Sequence, residues 1–182
     1  MKTYEILPTD KNLVQTLIDD TIGRDSDVFR YVIILNSIDC SYSVALDGRW
    51  GSGKTFFVKQ AKLVLDANNE HLAVMDADVR KKVLTSCQKF IPANSELQPQ
   101  VCVYYDAWEN DNDEDPVLSL IYTILTGINS DYSFSEGKDV LSIAASIGEF
   151  FTGRNIAEIL KELRSASPLD SLKSKKELRE KV

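Results

Sequence analysis

Eight residues in the first third of the chain have the types and spacing that phosphate binding requires. Glycine stands at the first, fourth and sixth positions, and the run ends in Lys54 and Thr55. Glycine lets a chain curl tightly enough to point several backbone N–H groups at one anion. A helix starting here would add its positive end, Lys54 could reach the β- and γ-phosphates, and the Thr55 hydroxyl could bind a bridging magnesium ion. The run is Gly48, Arg49, Trp50, Gly51, Ser52, Gly53, Lys54 and Thr55.

This run predicts a P-loop that binds a nucleoside triphosphate. We predict that Lys54 and Thr55 are catalytic, that Thr55 binds Mg²⁺, and that the whole run together with Phe56 forms the nucleotide site. ATP is the predicted nucleotide, and GTP is the less favoured one. The pattern should arise by chance in about one chain in a hundred of this length. A strand before the loop and a helix after it are the context that the mechanism requires.

Two acids follow short hydrophobic runs, as magnesium ligands do in many P-loop proteins. Asp106 follows Val-Cys-Val-Tyr-Tyr and is the candidate for a further magnesium ligand. Asp76 follows Leu-Ala-Val-Met and is the weaker candidate. For both, a role in capping a turn or a helix is the alternative. His71 is the single histidine, which excludes a metal site built on two histidines.

Periodicity and turn signals predict alternating strands and helices around this loop. Helices are expected from Asp10 towards Ile22, over 25–38, 54–67, 79–90 and from Pro116 to 128, and again over 139–151, 155–165 and 169–182. Short strands are expected over 42–47, 71–76 and 101–105. The fold class is therefore α/β, a three-layer P-loop fold with a mostly parallel, incomplete sheet flanked by N- and C-terminal helices. The predicted parts are a helical segment 1–40, a P-loop core 41–130 and a helical segment 131–182, whose last helix is either cut short or a frayed, solvated terminus.

Length, charge and cysteine content narrow the range of possible functions and locations. The 182 residues suffice for one domain of ordinary size. A net charge of −7 and a pI near 4.8 disfavour binding to nucleic acid. Three cysteines, an odd number, suit a reducing compartment, and no secretory signal or membrane-spanning stretch is visible. A cytoplasmic protein is expected.

The chain resembles the KAP family of P-loop NTPases in two motifs. The first is Val44-Ala-Leu-Asp-Gly48-Arg-Trp50-Gly-Ser-Gly-Lys-Thr-Phe56-Phe-Val, with an unusual tryptophan inside the P-loop. The second is Tyr105-Asp-Ala-Trp108, followed by an acidic run into Asp115-Pro116. The resemblance implies a divergent ATPase domain of the additional-strand type, as found in bacterial phage-exclusion and defence proteins and in membrane-associated signalling proteins. In the family comparison Asp106 falls in the second motif.

Two departures from the family pattern bear on activity. Family members often carry transmembrane helices after the P-loop, and they have a later strand ending in paired acids, the Walker B element. This sequence has neither a membrane stretch nor such a strand after residue 126. We therefore predict nucleotide binding with slow hydrolysis, unless a partner or a further segment completes the site. The alternatives are a nucleotide-gated interaction module, with C-terminal helices that bind a protein partner or self-associate, and a small-molecule kinase.

Overall fold

The computed structural model describes residues 6–40, 42–72, 75–91, 96–111 and 116–131. Contacts divide the chain into two compact units, 1–102 and 103–182. The described residues form five helices: α1 (Asp10–Ile18), α2 (Asp25–Asn36), α3 (Lys54–Asn68), α4 (Ala77–Gln88) and α5 (Pro116–Asp131). The first unit contains α1 to α4, and the second contains α5. The predicted helices over 139–151, 155–165 and 169–182 lie outside the described residues.

The predicted helices are confirmed wherever the structure describes them, because their start signals are local. Thr9 caps α1 by accepting the Asn12 amide at 3.4 Å. Asp76 caps α4 by accepting the amides of Asp78 and Val79 at 2.9 and 3.1 Å. Pro116 is the first residue of α5, where its missing N–H costs nothing. Helix α1 ends at Ile18, short of the expected end, and a turn follows.

The core of the first unit lies around α3, which packs against α1, α2 and α4. The buried apolar residues of α3 recur at helical spacing. A valine, leucine or phenylalanine side chain contributes roughly 1.5–3 kcal/mol when it is fully buried. The Phe29 ring on α2 stacks on the Phe90 ring, which follows α4, with centroids 4.9 Å apart. The core residues are Leu17, Val28, Phe29, Val32, Ala61, Val64, Leu65, Ala67, Val83 and Cys87. This packing fixes the axis of α3 and hence the place where its first turn lies.

The expected α/β fold with a parallel sheet is wrong for the described residues, which are helical and contain no strand. The stretch 42–47, expected to be a buried strand, is irregular and exposed. No strand is formed over 101–105 or over the described residues of the stretch 71–76, where Leu72 makes an isolated bridge. A strand is stable only when a neighbouring strand pairs with its backbone groups, and alternating apolar residues do not supply that partner.

Asparagine side chains at the ends of α2 and α3 bind the backbone of the stretch 97–100. Asn36, the last residue of α2, donates to the Gln98 carbonyl and accepts the Gln98 amide, both at 3.1 Å. Asn68 and Asn69, at the end of α3, donate to the carbonyls of Leu97 and Gln100, both at 2.8 Å. The stretch 97–100 is therefore held to the helices by side-chain amides.

In the second unit, α5 buries Ser119, Ile121 and Ile124. A Cβ added at Gly127 would lie 3.5 and 3.6 Å from the methyl carbons of Val103, which is ordinary contact. This helix therefore packs closely on the stretch that begins at Val103.

Candidate functional site

The predicted P-loop joins the irregular stretch 42–49 to α3, and two of its glycines are needed for its shape. The Ser52 amide donates to the Arg49 carbonyl at 3.1 Å, which closes a four-residue turn. Gly51, the third residue of that turn, has a φ of +74°, as a type II turn requires. Gly53 precedes α3 with a φ of +84°. Residues with a side chain rarely adopt these angles, so the loop conformation depends on glycine.

Gly48 contributes the space that its missing side chain leaves in the loop, and not a backbone donor for an anion. A Cβ added at Gly48 would lie 2.9 Å from the Ser52 hydroxyl oxygen. Its own N–H donates to the Asp47 carboxylate at 2.7 Å. The absent side chain therefore lets the two ends of the loop approach each other.

Several backbone N–H groups of the loop and of the first turn of α3 donate to no acceptor within the described residues. They belong to Gly51, Gly53, Lys54, Thr55 and Phe56. The first amides of any helix lack partners inside the helix, and they carry a partial positive charge. The 15 residues of α3 thus begin with a group of donors suited to an anion such as a phosphate.

Lys54 draws the first residues of the loop towards α3. Its ammonium donates to the carbonyls of Gly48 at 2.7 Å and Arg49 at 2.9 Å. An ammonium has three N–H donors, and these two bonds use two of them. The side chain therefore stiffens the loop and keeps a positive charge beside the helix start.

The other predicted side chains of the loop lie at the surface. Arg49 and Thr55 are exposed, Ser52 and Phe56 are half-buried, and Trp50 is 90% exposed. The Thr55 hydroxyl, on the first turn of α3, is a hard oxygen donor of the kind that Mg²⁺ prefers, and this ion commonly takes its other ligands from phosphates and water. Thr55 therefore fits a magnesium site that the nucleotide itself completes.

One residue that sequence reasoning missed contacts the loop. The Arg24 guanidinium donates to the Ser52 carbonyl at 3.1 Å, across 28 positions of sequence. Arg24 occupies the N-cap of α2 but makes no side-chain capping bond there. Arginine is not among the residues that favour the N-cap position, and this was a signal that Arg24 has another role. The signal does not identify Ser52 as its partner.

Asp106, the candidate magnesium ligand, belongs to the second unit and organises a turn. Its carboxylate accepts the Trp108 amide at 3.0 Å, the Glu109 amide at 3.4 Å and the Tyr104 hydroxyl at 3.1 Å. Burial and then the bond to Asp106 raise the pKa of Tyr104 to about 12. Asp76, the weaker candidate, caps α4. Within the described ranges, no group of three or more acids, cysteines or histidines is placed to hold a metal ion. A magnesium role for Asp106 stays a prediction.

A separate cavity of about 600 Å³ lies at the other end of α3. Asn68, Glu70 and His71 line it on one side, and Leu84 and Gln88 of α4 on another. The P-loop is not part of it. The expected nucleotide contacts and this cavity are therefore distinct features of the first unit.

Comparison with known proteins gives one match. Residues 28–182 match the profile of the KAP family P-loop domain. No curated protein and no solved structure matches the chain. Among the described helices, none combines the length and the apolar character needed to span a bilayer. The match covers well over half of the sequence and includes the whole loop described above, so this chain belongs to the KAP family of nucleotide-binding P-loop NTPases.

Proposed function

We propose that this chain binds ATP together with Mg²⁺ through residues 48–56. The observation that carries the proposal is the group of backbone donors at the start of α3, from Gly51 to Phe56, lying beside the Lys54 ammonium. Oriented amides, a helix end and a lysine together match the charge and the oxygen acceptors of a triphosphate. Thr55 is the proposed magnesium ligand, and the phosphate oxygens supply further ligands. GTP is the less favoured ligand.

We further propose that hydrolysis by this chain alone is slow. Transfer of a phosphoryl group to water needs a positioned water molecule and charge stabilisation beyond the phosphate cradle. In the structure the Asp76 carboxylate caps α4 and the Asp106 carboxylate accepts amides within a turn. The role in phage defence that the resemblance implies and a cytoplasmic location belong to the same proposal. The three free thiols support a reducing compartment.

Calorimetric titration of the purified protein with Mg-ATP tests the binding proposal. Substituting Lys54→Ala should weaken binding at least about a hundredfold, because a charged hydrogen bond contributes roughly 1.5–3 kcal/mol and the ammonium can serve more than one phosphate oxygen. Lys82→Ala is the matched control: Lys82 is exposed on α4, so its loss changes the net charge equally without touching the loop. Heat from the Lys54→Ala variant equal to that from the parent would refute the site, and no heat from the parent at millimolar nucleotide would refute the function.

A further inference from the structure

The turn between α1 and α2 places Arg24 beside the P-loop. Asp20 and Gly23 have positive φ values of 47° and 69° in this turn. The Asp20 carboxylate accepts the Asp25 amide at 3.2 Å, and the Gly23 amide donates to the Asp20 carbonyl at 3.0 Å. The turn thus satisfies the first amide of α2 without using the N-cap side chain, and the Arg24 side chain is available for another partner.

That partner is the Ser52–Gly53 peptide unit, next to the two loop glycines with positive φ, Gly51 and Gly53. The Arg24 guanidinium donates to the Ser52 carbonyl at 3.1 Å, and no amide of α3 does so within the described residues. In a trans peptide unit the carbonyl and the following N–H point in opposite directions. Fixing the Ser52 carbonyl towards Arg24 therefore fixes the Gly53 N–H on the other side, in the group of donors at the start of α3.

We infer that Arg24 is a positioning residue for nucleotide binding: it orients the Ser52–Gly53 peptide so that the Gly53 N–H faces the phosphates. The inference rests on the proposed function. It concerns a residue outside the P-loop motif and before residue 28, where the family match begins. A guanidinium is always charged and has five N–H donors, so Arg24 also places a positive charge beside the loop. Arg24, at the N-cap of α2, thereby joins that helix to the loop that precedes α3.

The test is calorimetric titration of Mg-ATP into the parent and into Arg24→Ala, Arg24→Lys and Arg30→Ala. Arg30 is an exposed arginine in α2, and its side chain makes no hydrogen bond or ion pair to the rest of the described chain. We expect Arg24→Ala to raise the Kd about tenfold, the effect of one lost charge-assisted hydrogen bond at an exposed site. We expect Arg24→Lys, which keeps the charge and can still donate a hydrogen bond, to recover most of the affinity, and Arg30→Ala to match the parent.

A second measurement separates positioning from a general loss of structure. Arg24 is exposed, so the melting temperature of Arg24→Ala should stay close to that of the parent. In NMR spectra without nucleotide, the amide signal of Gly53 should move in Arg24→Ala and stay in place in Arg30→Ala. Equal Kd values for Arg24→Ala, Arg30→Ala and the parent, with binding lost in Lys54→Ala, would overturn the inference and leave the proposed function standing. If the parent does not bind Mg-ATP, both fall.

Discussion

Replacing Gly53 by alanine would test whether the left-handed corner before α3 is needed. Gly53 has a φ of +84°, and an alanine held in that region costs roughly 1–2 kcal/mol. Nothing lies within 4 Å of the added Cβ, so steric contact adds no further cost. Alanine also restricts the unfolded chain, which offsets roughly 0.4–1 kcal/mol. The free energy of unfolding should fall by about 1 kcal/mol, a decrease in Tm of about 2–4 °C for a chain of this size.

The same substitution should weaken nucleotide binding more than it weakens the fold. The strain of an alanine at positive φ is relieved when φ rotates towards negative values. This rotation turns the adjoining peptide units, and the N–H of residue 53 then leaves the group of donors at the start of α3. Under the proposed function this removes one hydrogen bond to a charged phosphate, about 1.5–3 kcal/mol, or roughly ten- to a hundredfold in Kd.

Calorimetry with Mg-ATP and thermal unfolding measure the two effects, and Gly127→Ala is the control. A Cβ at Gly127 meets the Val103 methyl carbons at ordinary contact distance, and alanine is favoured over glycine inside a helix by up to about 1 kcal/mol. The control should therefore hold or raise Tm and leave Kd unchanged. An unchanged Kd and Tm for Gly53→Ala would refute the reasoning, because the positive φ would then serve neither the fold nor the ligand.

Two further predictions concern residues outside the loop. Asp76→Ala should lower the free energy of unfolding in urea by roughly 0.5–2 kcal/mol, because α4 loses its cap, without changing the magnesium concentration that nucleotide binding requires; an increased requirement would instead assign Asp76 to the metal. Burial raises the pKa of Cys87 to about 11 and that of Cys102 to about 12, whereas Cys40 is exposed. At pH 8 only about one in a thousand Cys87 side chains is then a thiolate. A disulfide reagent should react with Cys40 first, and Cys40→Ser should abolish the fast phase. A fast phase that persists in this variant would contradict the raised pKa values of Cys87 and Cys102.

The helices and the P-loop could be predicted because their signals lie within a few residues of one another. Pro116, at the first helical position, marks a helix start by interactions with its immediate neighbours, and the structure confirms it. Asp76 takes the capping role that was its alternative to a magnesium site. The resemblance to the KAP family is confirmed by the match over residues 28–182. The glycine spacing likewise predicts the tight turns now seen at Gly51 and Gly53.

The sheet could not be predicted from the same kind of signal. Alternating apolar residues over 42–47 indicate an extended chain, but pairing depends on backbone groups far away in sequence. The Asn36 side chain bonds to the Gln98 backbone, and no local sequence pattern predicts such a contact. Arg24 was missed for the same reason, since its partner lies 28 positions away. The domain boundaries at 40 and 130 stay predictions.

Because Trp50 is exposed and lies inside the P-loop, its fluorescence can report on that loop. The sequence contains two tryptophans, and their side chains are 90% and 78% exposed at Trp50 and Trp108. An indole in water emits at long wavelength and is readily reached by soluble quenchers. With phenylalanine in place of Trp108, the remaining tryptophan emission would come from inside the P-loop. Events at that loop could then be followed in real time by fluorescence, without attaching a dye or altering a glycine.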